Sequence, residues 1–301
     1  MKKLYASLLG LSLIWGTSFL FIKLLVPTLG PLGTVFGRCL FGAFALLLIM
    51  VLFKARELMQ LKKMPWLPIV LVSLFNNAVP WLLIAYSETK ITSSLASVIN
   101  ASTPIFTVIV GSLFFASRLK FWQWGGIFTG FIGILVILNL NVEQFLKENL
   151  LGAGTMLGAT LCYGIGAHMA KRYLNGISVM MTSFSTLFVS AIFSFVFILF
   201  TDQSVLSQLF EWKIFFSLIG LGVFGSGIAY LLYYYMVKEG GAEFASLVTY
   251  IVPVSAIIWG FFLLGEKITA NMIAGLLLVF SGIYLITFKS GQQKIQEKKT
   301  A

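Results

Sequence analysis

Few side chains in this 301-residue sequence can do chemistry, and most of those stand inside apolar runs. Ser93, Ser97, Asn100, Pro104 and Thr107 follow one another at steps of four, three, four and three, which puts them on one face of a helix. Ser246, Thr249 and Pro253 repeat the pattern later in the chain. Asn77 with Trp81, and again Ser226, Tyr230 and Tyr234, stand at steps of four. Polar groups in hydrocarbon must find partners or face water. One reading is a water-accessible path whose rings and amides suit a ligand with an apolar body and a polar head. The other is hydrogen bonding between packed helices, worth about 0.6 kcal/mol per bond. Tyr233, Tyr235 and Trp212 lie nearer the ends of their runs and read as interfacial belt residues.

Arg38 is the one cation well inside an apolar run. An intramembrane charge marks a functional site by default, although a long stem can snorkel outward or bond to backbone carbonyls. His168, the single histidine, lies one turn from Lys171 and suits either a proton relay or an interfacial position. The acidic residues fall at run ends or in connections, which argues against strong ion coupling. HExxH, P-loop and CxxC motifs are missing, so neither a metal nor a cofactor is expected, nor an enzyme. Cys39 and Cys162 sit in apolar runs and read as small hydrophobic residues.

The elements that must carry these residues follow from composition. Hydrophobic residues make up 59% of the chain and charged ones only 10%, with mean hydropathy +0.97. A soluble domain carries about 25% charge, so this chain is built for lipid. The apolar runs are too long for barrel strands, and backbone groups in hydrocarbon must be satisfied within the segment, so each run reads as helix. The fold class is therefore an all-α polytopic membrane protein. Ten spans separate at charged or turn-rich breaks: 4–24, 32–53, 66–87, 92–116, 121–140, 150–172, 178–200, 212–236, 243–264 and 271–288. The first span is too long for a signal-peptide core and is read as retained.

The net charge of +11 is spread unevenly. Counting at alternate span ends, 15 of the 21 basic residues fall on one side and five on the other, with Arg38 between. Basic residues mark the cytoplasmic side. Both termini are thus expected there, and the basic excess reads as a topology signal with no nucleic-acid partner. The lipid bilayer and a small-molecule substrate are the expected partners, to a monomer or a homodimer.

The chain also repeats itself. Gly10, Trp15, Gly16 and Lys23 recur 148 residues later as Gly158, Tyr163, Gly164 and Lys171. At an offset of 149, Trp81 meets Tyr230, Ala96-Ser97 meets Ala245-Ser246, and Pro104 meets Pro253. Gly126 likewise meets Gly275, and Gly133 meets Gly282. Each copy holds five spans, an odd number, so the second copy enters the membrane upside down. The expected architecture is ten transmembrane helices as two inverted five-helix repeats, residues 1–141 and 150–289, followed by a polar cytoplasmic tail, 290–301. Inverted repeats are common in secondary transporters, which alternate access to a midplane site.

At these residues the sequence resembles a known family. Leu13-Ile14-Trp15-Gly16-Thr17-Ser18-Phe19, Arg38 in the second span, and the stretch from Ala245-Ser246-Leu247 through Pro253 to Gly265-Glu266-Lys267 and Gly275 are similar to the EamA family of the drug/metabolite transporter superfamily. The first-copy counterpart of Gly265-Glu266 is Ala116-Ser117, which lacks the acid. The resemblance implies export of amino acids, related metabolites or drugs across the bacterial inner membrane. The candidate binding residues are Trp15, Asn77, Trp81, Ser97, Asn100, Tyr163, Tyr230, Tyr234, Ser246 and Thr249, with Pro104 and Pro253 as hinges. Arg38 and His168 are candidates for a charge role. The competing reading is a membrane-embedded structural or sensory subunit, and a central cavity would separate the two.

Overall fold

The computed structural model describes residues 2–91, 96, 99–115, 120–137, 150–255, 270–271 and 273–285. Among these residues every regular element is a helix. The chain forms α1 (Lys2–Phe53), α2 (Trp66–Ser87), α3 (Thr103–Phe114), α4 (Phe121–Ile137), α5 (Leu150–Tyr173), α6 (Val179–Thr201), α7 (Trp212–Gly240), α8 (Ala242–Ser255) and α9 (Ile273–Leu285). Of these, α1, α2, α5, α6 and α7 are long and apolar enough to cross a membrane.

The long α1 changes direction at Gly30, where φ is 65° and ψ is 175°. Pro31 disfavours the helical region for the residue before it, and glycine alone takes a positive φ without a Cβ clash. The two arms, 2–29 and 31–53, are roughly 42 and 35 Å long at 1.5 Å per residue, enough for a hydrocarbon core of about 30 Å. They correspond to the first two spans read from sequence. At the other breaks, Ser178 caps α6 by accepting the Met181 N–H at 3.2 Å. Gly241, with φ 92°, turns the chain from α7 into α8.

Both α2 and α7 contain a π-helical stretch, Leu74–Ala78 and Ile219–Ile228. An i→i+5 stretch takes a carbonyl off the ordinary ladder, and each stretch hands one to the other half of the chain. Asn76 O accepts from Tyr230 Oη–H at 2.8 Å, and Gly225 O accepts from Trp15 Nε1–H at 3.1 Å. Asn76 and Gly225 are 149 residues apart, the offset of the sequence repeat.

The halves interlock. The first arm of α1 runs antiparallel to α7, with Gly10 facing Leu232 and Ser18 facing Gly225, while Gly220 faces Phe21. In the same way α5 runs antiparallel to α2, with Gly158 facing Leu83 and Gly166 facing Asn76. At the end of that pair, Ser87 Oγ–H donates to Gly152 O at 2.8 Å. Lipid tails are as apolar as leucine, so small residues that permit close approach hold such helices together. The crossing of α4 and α9 shows this most clearly, since a Cβ on Gly133 would fall 2.8 Å from Gly275 O. Serine bonds across helices add to the packing: Ser255 Oγ–H donates to Ser12 O at 2.7 Å and Ser190 Oγ–H to Ser73 O at 3.2 Å.

Candidate functional site

A cavity with roughly 630 Å³ of atom-free space, part of it at the mouth, lies between the two halves. Its lining comes from both arms of α1, from α2, the α3 segment, α5, α7 and α8. Aromatic rings and aliphatic chains form most of the wall, interrupted by hydroxyls, one amide and one guanidinium. That mixture is the usual make-up of a small-molecule site.

Of the residues singled out from sequence, Trp15, Trp81, Asn100, Tyr163, Ser246 and Thr249 line this cavity, as does Arg38. Trp81 is 2% exposed and packs edge-on against Tyr230, ring centres 5.1 Å apart. Tyr230 stands behind that wall, also touching Trp15 at 6.2 Å, with its hydroxyl on Asn76 O. Tyr234 lies further off, where its hydroxyl accepts from Asn76 Nδ2–H at 3.2 Å. Asn77 is fully buried on the π-helical stretch, and neither of its amide atoms has a described partner. Ser97 lies outside the described residues. Pro104 occupies the first turn of α3, just after the chain turns at residues 101–102, and Pro253 is buried within α8.

The hydroxyls of the polar stripes bond to their own helices. Thr103 Oγ1–H donates to Asn100 O at 2.6 Å and Thr107 to Thr103 O at 2.8 Å. Ser246 donates to Glu243 O at 2.8 Å and Thr249 to Ser246 O at 2.9 Å. Their protons are used locally, which leaves oxygen lone pairs toward the cavity. Two lining atoms have no described partner at all, Ser18 Oγ and Asn100 Oδ1.

Arg38 does not snorkel. It is 4% exposed, its Nε–H donates to Ser226 Oγ at 3.1 Å, and its guanidinium carbon lies 3.6 Å above the Trp81 ring. His168 is likewise buried. It is 6% exposed and stacks on Phe115 at 5.0 Å. Nε2 lies 2.9 Å from Thr107 O, an atom that can only accept, so Nε2 carries the proton. Glu243 Oε1 is 3.9 Å from the same nitrogen. This cluster ties α5 to α3 and α8 directly beside the lining residues Ala167 and Thr107. Beyond it, Lys171 Nζ donates to Lys238 O, and Lys238 Nζ to Ile177 O at 3.2 Å.

Comparison with protein-family signatures matches residues 2–139 and 150–288 to the EamA-like transporter family, once for each half. The chain belongs to that family. It is a membrane transporter and not an enzyme. The uncharacterized transporter YoaV of Bacillus subtilis is 25% identical over 299 residues, covering 98% of this chain and all of YoaV. The uncharacterized inner membrane transporter YedA of Escherichia coli K12 is 27% identical over 285 residues, 94% of this chain and 90% of its own. A solved crystal structure at 15% identity superposes with a TM-score of 0.75 over 95% of this chain and 98% of that one, a likeness in fold.

Several lining residues of this EamA-like transporter escape sequence reasoning. Tyr233, read as a belt residue, is 5% exposed, lines the cavity and packs on Trp15 with ring centres 5.7 Å apart. Ser18, Phe19 and Ile22 also line it. Their signal was available, since with Trp15 they stand at i, i+3, i+4 and i+7. Glu88, expected only as a span-end acid, is buried at 3% exposure at the end of α2, where its backbone carbonyl accepts from Lys23 Nζ at 3.2 Å.

Proposed function

We propose that this EamA-like transporter is a secondary carrier that exports a small amphipathic metabolite, an amino acid or a related compound, across the bacterial inner membrane. Ten helices in two inverted halves alternate access to the central cavity, with both termini in the cytoplasm. The observation that carries the reading is the cavity itself, walled by both halves and holding polar atoms that no described protein group satisfies. Trp15, Trp81, Asn100, Tyr163, Ser246 and Thr249 contact the cargo, with Tyr230, Tyr234 and Asn77 supporting the wall. Pro104 and Pro253 serve as hinges, and the His168 cluster closes one end.

The inverted arrangement draws support from the antiparallel pairing of α1 with α7, of α5 with α2 and of α4 with α9, and from the exchange of π-helical carbonyls at equivalent positions. A structural or sensory subunit would use its polar stripes as glue. Here the glue is a different set of serines, while the stripe hydroxyls bond back to their own helices beside a cavity. The test is counterflow and efflux from proteoliposomes across a metabolite panel, with reporter fusions after Lys299 and within 143–149. Saturable efflux and opposite-side reporters are expected. A sealed, correctly folded preparation that moves nothing, or same-side reporters, would overturn the reading.

A further inference from the structure

The cavity holds a cation with no ion pair among the described residues. Ser226 occupies the Nε edge of the Arg38 guanidinium, and Trp81 covers one face. The two Nη groups have no acceptor among the described residues, and no described carboxylate lies within ion-pair distance. A buried cation is costly unless it is paired and hydrogen-bonded. Holding the fork rigid on one edge and one face, with its remaining donors free, is how a protein presents a bidentate anion site. Ser18 and Asn100, each 6% exposed, add two unpartnered oxygens in the same lining. Arg38 is the charged group of the described lining, so a ligand ammonium would meet only neutral oxygens and ring faces.

Resting on the cavity as the substrate site, we propose that Arg38 anchors the carboxylate of the cargo, and that the preferred cargo is a monoanionic carboxylic acid with an apolar body. A carboxylate fits the two free Nη groups edge to edge. The rings of Trp15, Trp81 and Tyr233 take the apolar body, and the Ser18 hydroxyl can donate to the carboxylate. A zwitterion satisfies the anchor, but its ammonium meets neutral oxygens and no counter-charge in the described lining. A phosphate dianion leaves one charge without a partner.

The experiment uses the full-length protein and two matched triads that keep the apolar body constant. These are 3-phenylpropionate, phenylalanine and phenethylamine, then 4-methylpentanoate, leucine and isopentylamine, with inorganic phosphate as a further arm. Binding is read from ligand-induced thermal stabilisation in detergent, and transport from proteoliposomes. The acid of a triad is expected to bind most tightly, the amino acid about tenfold more weakly, and the amine and phosphate not at all. Arg38→Gln should weaken acid binding by roughly tenfold to a hundredfold. Arg38→Lys should recover part of it, because lysine keeps the charge but not the fork. Arg56→Gln, at an exposed position, should change nothing. Should Arg38→Gln not fold, the ranking within each wild-type triad still decides. Amines bound as well as acids, acid binding indifferent to Arg38→Gln, or transport of cationic compounds alone would overturn the anchor and leave the carrier standing. Acid binding without transport of any compound would do the reverse. Neither binding nor transport would remove both.

Discussion

Replacing Gly282 with alanine would place a methyl carbon where the structure has the backbone of α4. That carbon would sit 2.5 Å from Gly126 O, 2.6 Å from Gly130 N and 2.9 Å from Gly130 Cα. Non-bonded carbons settle at about 3.5–4.0 Å, so α4 and α9 would have to part by roughly 1 Å at this point. No flexible side chain is present to swing away; all three atoms are main chain. Separation by that much forfeits a quarter to a half of the dispersion energy around the crossing, and dispersion is what holds helices together in lipid. The expected cost is about 1–3 kcal/mol. Gly125, on the facing helix α4, has open space where its Cβ would go, so Gly125→Ala is the internal control and gains up to about 1 kcal/mol of helix propensity. Thermal unfolding of the purified protein in one detergent, at one scan rate, should lower the midpoint of Gly282→Ala by about 2–6 °C. Gly125→Ala should match the wild type or exceed it. A Gly282→Ala midpoint at or above that of Gly125→Ala would refute the close crossing.

Three further expectations rest on separate observations. Trp81→Ala removes a lining ring and should raise half-saturation roughly tenfold. Tyr230→Phe removes only the bond to Asn76 O, so it should cost about 1 kcal/mol of stability with half-saturation unchanged; the opposite ordering would move Tyr230 into the site. With Cys39 and Cys162 replaced, Asn100→Cys or Thr249→Cys should react with a water-soluble thiol reagent and be protected by cargo, whereas Ile134→Cys, from a fully buried position, should stay inert. Equal inertness of all three in active protein would favour stripes that merely pack. Gly30→Ala meets no atom within 4 Å but forces a positive φ on a residue with a Cβ, so equilibrium unfolding should show a loss of about 1 kcal/mol, and a neutral result would remove the backbone account of the α1 break.

Hydropathy by itself established the class of this protein, because lipid as solvent demands long apolar runs whose backbone bonds close internally. The motifs pointed to the family, and the signature match over both halves established it. The break between the arms of α1 was legible in Leu29-Gly30-Pro31 for a local reason, since proline and glycine act on their own dihedrals. Steps of three and four grouped Asn100 with Thr107 and Ser246 with Thr249, and the structure sets each pair along one wall.

Periodicity gives the angle between residues on a helix and leaves open which way the helix as a whole is turned. In α7 the π-helical stretch Ile219–Ile228 intervenes, and each residue added to a turn rotates the rest of the helix by about 100°. Tyr233 faces the cavity there, with Tyr230 and Tyr234 behind it, an order that no count along the sequence contains. Arg38 makes the same point through distance. Its charge was plain in the sequence, but whether it faced lipid headgroups or the interior depended on Ser226, 188 residues away, and on the ring of Trp81. Contacts of that range exist only once the halves have interlocked, so tertiary packing alone turned a lone cation inward and made a lining from it.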